Sequence, residues 1–403
     1  MKVAVLGVGG VGGSLALHLH RDDRISSLLL IDKISGRTRI LEGKRGLVSV
    51  DRKHMNMGNP NAAKMAIRGC DVVVNTCPPK YNLSIMKTAL EAGAHYLDVA
   101  GAGPRRPRGP PGILEQLGLH DAFREAGLSA LLSMGLDPGM TNVMARGCAD
   151  ALDAVDSIRI RSGGTLRLAG DHALHRVIPP YSRDAFLSDL LLRPMTWSDG
   201  RLVERQLLSD EEDFLFPPPI GVQRSFLVSH EEVLTLPKFL GKPVLRVDFK
   251  YAVNPHLALA LRSLEKMGFL QANRTVRLGN RRVPFREALG AALPEPLELK
   301  RLYRRLEGTK CVSVDVEGTK GGARVVQHAH IAMDHEEVTR HARTTAVYYL
   351  TGAAASIGVV LLGKHAVPGP GVYPPEALNP DLVLSEWRGR NLPFSKSERV
   401  LAS

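Results

Sequence analysis

Apolar residues follow one rhythm in the first third of this chain and another after it. Up to about residue 134, short unbroken apolar runs recur: Lys2–Leu6 (KVAVL), Leu28–Ile31 (LLLI), Leu47–Val50, Asp71–Asn75 (DVVVN), His95–Val99 (HYLDV) and Ser129–Met134. Runs of that length predict strands buried on both faces, as in a parallel sheet. Ser14–His20, Asn61–Arg68, Asn82–Ala92 and His120–Ala126 read as covering helices between them. The stretch after Asp32 is short and basic, so the helix due there is expected to be truncated. From Ser157 onward apolar and polar residues alternate singly, in Ile158–Ser162, Gln223–Val228, Leu245–Tyr251, Cys311–Glu317 and Ala323–Met333, with Gly318–Gly322 as a hairpin turn. Alternation of period two predicts half-exposed strands of a mostly antiparallel or mixed sheet. Helices are expected over Ser182–Leu191, His256–Met267 and Pro284–Ala291. A parallel α/β half is thus followed by an α+β half.

The junction between the first strand and the first helix carries the chemistry. Gly7-Val8-Gly9-Gly10-Val11-Gly12 fits G-x-G-x-x-G, with Asp32 closing the second strand about twenty residues further on. Gly7 would make the tight turn, Gly9 would let a pyrophosphate approach the backbone, and Gly12 would let helix and strand pack closely. The pyrophosphate belongs at the helix N-terminus, where free N–H groups and the dipole favour negative charge. The first half is therefore expected to be a Rossmann-type dinucleotide-binding domain taking NAD or NADP. Asp32 can accept from a ribose 2′-OH, while Lys33, Arg37 and Arg39 can pair with a 2′-phosphate, so the two cofactors compete at one corner. Ligands of such sheets lie outside the carboxyl ends of the strands, which places Asn75, Thr76, Cys77 and Pro78 beside the cofactor.

Composition narrows the function classes. The chain has 403 residues, 44% hydrophobic and 23% charged, as in a soluble protein large enough for two cores. Lys and Arg outnumber Asp and Glu by 53 to 41, for a net charge of +12. The basic residues are scattered and aromatics are only 5%, so the excess is read as a field for phosphates and carboxylates, with no nucleic acid as partner. Four cysteines (Cys70, Cys77, Cys148, Cys311) show no CxxC spacing, which suits a reducing, cytoplasmic location and no metal site. A strand beginning at residue 2 leaves no signal peptide to expect. Ala346–Gly363 is uncharged over nearly membrane-crossing length, but its Ala and Gly content favours a buried helix over a membrane anchor. Gly101–Gly112 (GAGPRRPRGPPG) reads as a solvated insertion or a basic lid.

Several motifs together resemble the saccharopine dehydrogenase family, in the broad sense that includes saccharopine reductases, lysine dehydrogenases and carboxynorspermidine dehydrogenases. They are the glycine turn, Ala94-His95-Tyr96-Leu97-Asp98, and above all Gly135-Leu136-Asp137-Pro138-Gly139-Met140-Thr141-Asn142. Asp199–Glu204, Phe216–Ile220, Ser229-His230-Glu231, Val247–Lys250, Arg343-Thr344-Thr345, Leu350-Thr351-Gly352 and Gly371–Glu376 follow in the same order. The resemblance implies an NAD(P)-dependent oxidoreductase acting on a C–N bond. Typically the imine of an amino acid and an oxo acid or aldehyde is reduced to a secondary amine, or the reverse occurs. Expected domains are 1–134 for the cofactor, 135–345 for substrate and dimerisation, and 346–403 as a return helix and tail packing on the first domain.

That reaction needs an acid–base group near a protonated imine and cations for the substrate carboxylates. Tyr96 and Asp98, near a strand's carboxyl end, and His230 beside Glu231 are the acid–base candidates. Asp137 reads as the N-cap of a helix running to about Leu152, with Pro138 as its first residue, and is grouped with Gly139 at the cofactor. Thr141, Asn142, Arg224, Lys250 and Arg343 are candidates for an amino-acid substrate, with Lys250 on a half-exposed strand and solvated. The expected assembly is a homodimer formed through the α+β half, whose strands need a cover.

Overall fold

In a computed structural model of the chain, residues 1–57, 60–101, 112–169, 177–271, 273–296 and 305–401 are described. Most of the Arg/Pro-rich stretch therefore lies outside the described residues. The chain forms two compact units, one of Met1–Gly147, Lys238–Gly241 and Tyr348–Leu392, the other of Cys148–Pro237, Lys242–Val347 and Pro393–Ser403.

The first unit is built on a seven-stranded parallel sheet. Its strands are β1 (Lys2–Leu6), β2 (Ser27–Asp32), β3 (Ser49–His54), β4 (Val72–Asn75), β5 (His95–Asp98), β6 (Ser129–Leu131) and the late strand Gly371–Tyr373. The order across the sheet is late strand, β6, β5, β4, β1, β2, β3. Chain order reverses between β1 and β4, so the crevice for a ligand opens between Leu6–Gly7 and Asn75–Thr76. Val3–Leu6 and Val72–Val74 are fully buried, which is why these strands read as unbroken apolar runs. β3 is displaced by a few residues from the expected Leu47–Val50, because an almost wholly exposed edge strand needs no apolar run to mark it. Between β2 and β3 only a 3₁₀ turn, Ser35–Arg39, replaces the usual helix.

The helix Ala346–Gly363 is 89% buried. Its small residues allow close approach to this unit's other elements. A Cβ on Gly352 would meet the backbone of Ser14 and Leu15, and one on Gly358 would meet Leu97, Leu131 and Met134. The helix Pro380–Gly389 is tied in by ions: Glu386 pairs with Arg24 (2.6 Å), Arg390 (2.7 Å) and Lys364 (3.2 Å). Burial raises the Glu386 carboxyl, yet these bonds outweigh it and hold the pKa at about 2.

The second unit centres on a nine-stranded mixed sheet. The strands Ala154–Gly164 and Val244–Ala252 pair in parallel, and the long hairpin Thr309–Lys320/Ala323–Asp334 pairs antiparallel to the first of them. Ile158, Ile160, Val247, Phe249, Val312, Val314 and Ile331 share its apolar face.

Three boundaries differ from the sequence reading. The first unit runs past residue 134 to Gly147. The helix expected from Pro138 to about Leu152 spans only Met140–Ala149. The tail does not stay wholly with the first sheet, because Ser395–Val400 adds to the edge of the second beside Val325–His330. That segment is exposed at every position and carries Lys396, Glu398 and Arg399, composition suited to an edge strand but silent to hydrophobic patterning.

Candidate functional site: a dinucleotide turn on a buried polar frame

The glycine turn leaves no room for side chains where they would obstruct it. Gly7 has φ of +88°, and a Cβ there would lie 2.9 Å from the Cys77 nitrogen. A Cβ on Gly12 would come within 2.5 Å of Thr76 Oγ1 and closer still to the Gly7 carbonyl. At Gly10 it would strike the ring of Tyr348 at 2.5 Å. Gly9 stands just ahead of the helix Gly10–Leu19, and Val11 lies in its first turn. Thr76 Oγ1 donates toward the Gly7 carbonyl (2.5 Å) with that of Leu6 at 3.1 Å, so the β1 and β4 loops are joined across the crevice.

Asp32 is 5% exposed and anchors the other side. Its Oδ2 accepts from the Val8 N–H at 2.8 Å and its Oδ1 from the Ile34 N–H at 2.7 Å. Lys33 is exposed and Pro78 is exposed, while Cys77 is partly covered. Burial, followed by the charge of Asp32, pushes the Cys77 thiol up to about 12, so it is not a thiolate at neutral pH. A pyrophosphate needs glycines at these positions and a free helix N-terminus, and a ribose needs a carboxylate at the end of β2. The residues present fit an NAD or NADP dinucleotide.

Below the turn lies a frame of buried polar groups at the carboxyl ends of β4, β5 and β6. Asn75 Nδ2 donates to Asn82 Oδ1 (2.9 Å) and to the Tyr96 hydroxyl (3.2 Å). That hydroxyl donates to Asp98 Oδ2 (3.0 Å), which also accepts from Gln116 Nε2 (2.6 Å). Asp98 Oδ1 accepts from the Ser133 N–H (2.7 Å). Asn75, Asn82, Tyr96, Asp98, Gln116 and Ser133 are all at most 2% exposed. Burial first, then Asp98, raises the Tyr96 pKa well above its usual value. Tyr96 and Asp98 are thus brought together with the cofactor loop, as struts beneath it. Asn82 and Gln116 escaped sequence reasoning, and the signal was a polar residue on the apolar side of a helix.

The stretch Gly135–Asn142 is a closed turn. The Asp137–Pro138 bond is cis. The helix begins only at Met140, so Asp137 does not stand directly before it and the expected N-cap role passes elsewhere. Gly139 precedes Met140 with φ of +129°. Its N–H donates to Asn142 Oδ1 at 2.9 Å, the reach-back half of a capping box. Asn142 Nδ2 donates to Glu376 (2.9 Å), which is fully buried, and Thr141 is fully buried as well.

The remaining candidates lie in the second unit and do not converge. His230 stacks on Phe249 (centroids 3.7 Å apart, planes 1° apart), and its Nδ1 lies 2.5 Å from Glu232. Burial lowers the His230 pKa, but Glu232 and then Glu231 and Asp189 raise it to about 10, so the ring is an imidazolium at neutral pH. His230, Glu231 and Glu232 each place one potential ligand atom within 4.8 Å of the others, a spacing that this ion pair explains. Lys250 follows Phe249 and so points to the opposite face. Contrary to the solvated reading, Lys250 is 3% exposed and pairs with Glu212 and Asp210, both at 3.0 Å. A long aliphatic stem lets its strand bury a charge that alternation alone assigns to solvent. Arg161, 1% exposed, joins the cluster through Glu212 and Asp248. Burial raises the Glu212 carboxyl, but Arg161 and Lys250 prevail and set it at about 2. Arg224 is exposed and held by Asp213 (2.6 Å). Arg343 is exposed at the left-handed end of the helix His335–Ala342.

Comparison with known proteins agrees with this geometry. The family model described as the saccharopine dehydrogenase NADP binding domain matches residues 3–131, and that of the saccharopine dehydrogenase C-terminal domain matches residues 135–391. The chain belongs to the saccharopine dehydrogenase family. This member is 27% identical to carboxyaminopropylagmatine dehydrogenase of Synechocystis sp., over 98% of its own length and 96% of the relative's. It is 24% identical to carboxynorspermidine synthase of Vibrio cholerae, over 95% and 94% of the two chains. Its fold matches saccharopine dehydrogenase (L-Glu forming) of Saccharomyces cerevisiae with a TM-score of 0.70 at 13% identity, covering 100% of both chains. Homospermidine synthase of Legionella pneumophila, solved with NAD, matches with a TM-score of 0.69 at 14% identity, covering 99% of this chain and 91% of the other. This saccharopine dehydrogenase family member is an NAD(P)-dependent oxidoreductase, with a Rossmann-type cofactor domain and a second domain on a mixed sheet.

Proposed function

We propose that the chain reduces the imine formed between an amine and a carbonyl-bearing amino-acid derivative to a secondary amine, or runs the reverse oxidation. We further propose that the amine is a diamine or agmatine-like polyamine precursor rather than lysine. The carrying observation is the intact dinucleotide turn, where Gly7, Gly10 and Gly12 admit no Cβ and Asp32 holds the Val8 amide. The choice of amine draws support from relatives spanning nearly the whole chain and named for a carboxylated agmatine derivative and for carboxynorspermidine.

A bound nicotinamide cofactor supplies hydride chemistry. The chain's own groups have other tasks. The glycine turn and Thr76 position the dinucleotide, and the Asn75–Tyr96–Asp98–Gln116 frame holds the β4 loop in register beneath it. Tyr96 and Asp98 act in this reading as positioning groups, since their bonds are committed inside the frame. Lys250 is tied to Glu212 and Arg224 to Asp213, whereas Arg343 is exposed with no acidic partner among the described residues. That favours Arg343 as the anchor for a substrate carboxylate.

The test is a matrix of amines (lysine, agmatine, short diamines) against carbonyl compounds (2-oxoglutarate, pyruvate, an amino-acid semialdehyde), read as loss of NADPH or NADH absorbance. Turnover is expected with a diamine or agmatine and the semialdehyde. Preference for lysine with 2-oxoglutarate would overturn the amine assignment. Cofactor binding without turnover on any pair would overturn the enzymatic reading in favour of an inactive scaffold.

A further inference from the structure

Three basic residues follow Asp32, and the structure separates them. The 3₁₀ turn Ser35–Arg39 folds back so that Arg37 Nη1 lies 4.0 Å from Asp32 Oδ2. The Arg37 side chain is 32% exposed, so it is not sealed from a ligand at this corner. Arg39 turns away to Glu42 at 3.7 Å and is 68% exposed. Lys33 is exposed, and its carbonyl is taken by His54 Nε2 at 2.6 Å. The turn that carries Arg37 is itself fixed. Thr38 Oγ1 donates to the Ser35 carbonyl at 2.9 Å, and Arg52 Nε donates to the Thr38 carbonyl at 3.1 Å.

We propose that Arg37 is the residue that reads a 2′-phosphate, and that the Asp32–Arg37 pair lets one site take both NADH and NADPH. The inference rests on the dinucleotide reading of the glycine turn and names which side chain decides between the two forms.

The argument is electrostatic. A ribose 2′-hydroxyl needs an acceptor, and Asp32, already oriented by two backbone amides, supplies one. A 2′-phosphate brings about two negative charges, which the Asp32 carboxylate repels and the Arg37 guanidinium attracts. With the two opposite charges 4.0 Å apart, their distant fields nearly cancel. What remains in favour of the phosphate is the planar fork of arginine, which can donate two parallel bonds to it. Neither charge alone would give this balance: Asp32 alone would exclude NADPH, and Arg37 alone would offer the hydroxyl no acceptor.

The experiment is calorimetric titration of the full-length protein with 2′,5′-ADP and with 5′-AMP, probes that differ only at the 2′ position. Arg37→Ala is expected to weaken 2′,5′-ADP at least about tenfold and 5′-AMP less than about twofold. Arg37→Lys should fall between, because it keeps the charge and loses the fork. Asp32→Asn should raise the preference for 2′,5′-ADP several-fold. Retained 5′-AMP affinity reports that the Arg37 variants are folded, thermal unfolding does so for Asp32→Asn, and Arg37→Gln serves if the alanine variant is not folded. Equal weakening of both probes by Arg37→Ala, no effect on either, or the same loss from Arg39→Ala would overturn the assignment. No turnover is needed, so the outcome is separate from the choice of substrate.

Discussion

Replacing Asp98 by Asn removes a charge and half of the accepting capacity at the centre of the buried frame. The carboxylate accepts from at least three donors: the Ser133 N–H, the Gln116 amide and the Tyr96 hydroxyl. An asparagine offers one oxygen and one NH₂. If the oxygen faces Gln116 and Tyr96, the NH₂ meets the Ser133 N–H, and in the flipped state it meets Gln116. One donor is left unpaired in either state, in a place 1% exposed. Losing a charge-assisted bond costs about 1.5–3 kcal/mol, and stranding the buried donor about 1–3 kcal/mol. The sum, about 2.5–6 kcal/mol, corresponds to a fall in Tm on the order of 10 °C for a unit of roughly 200 residues. Thermal unfolding of the full chain followed by circular dichroism would measure it. Because Asn75 hangs on the same frame, NADPH affinity should fall too, with kcat at saturating cofactor changed less than about tenfold. A variant with unchanged Tm and a kcat lowered more than about a hundredfold would refute this reasoning and make Asp98 the proton carrier.

Two further outcomes follow from the geometry. Gly12→Ala places a methyl against the Gly7 carbonyl, which is backbone and cannot swing aside, so NADPH affinity measured by nicotinamide fluorescence should drop at least about tenfold with about 1–3 kcal/mol lost in stability; unchanged binding would show that the turn has slack. The His230 pKa is raised from 6.5 to about 10, so its ion pair with Glu232 contributes fully below pH 6.5 and is lost as pH climbs through 10, at most about 5 kcal/mol in all. Urea midpoints across pH 6–10 should fall for the unmodified protein and stay flatter for His230→Gln, and parallel curves would remove His230 as the cause.

The fold class and the cofactor turn were legible in the sequence because both rest on local constraints. A strand buried on both faces must be apolar throughout, as Val72–Val74 is, and a turn that admits no Cβ must be glycine, as Gly7 and Gly12 are. Alternation likewise exposed the long hairpin at Thr309–Asp334. Tertiary structure alone decided matters that depend on residues distant in the chain. Lys250 is buried because Glu212, thirty-eight positions earlier, supplies its counter-charge. Asn142 is spent on Glu376, which no local pattern connects to it. Tyr348 lies where only Gly10 leaves room, and Ser395–Val400 pairs with Val325–His330, a strand distant from it in the chain. Of the cations Lys33, Arg37 and Arg39 that follow Asp32, the sequence shows equal charge, and only the 3₁₀ turn brings Arg37 to the carboxylate. Local sterics and solvent exposure are written residue by residue, whereas the partner of a buried charge is chosen by the packing that excludes water around it.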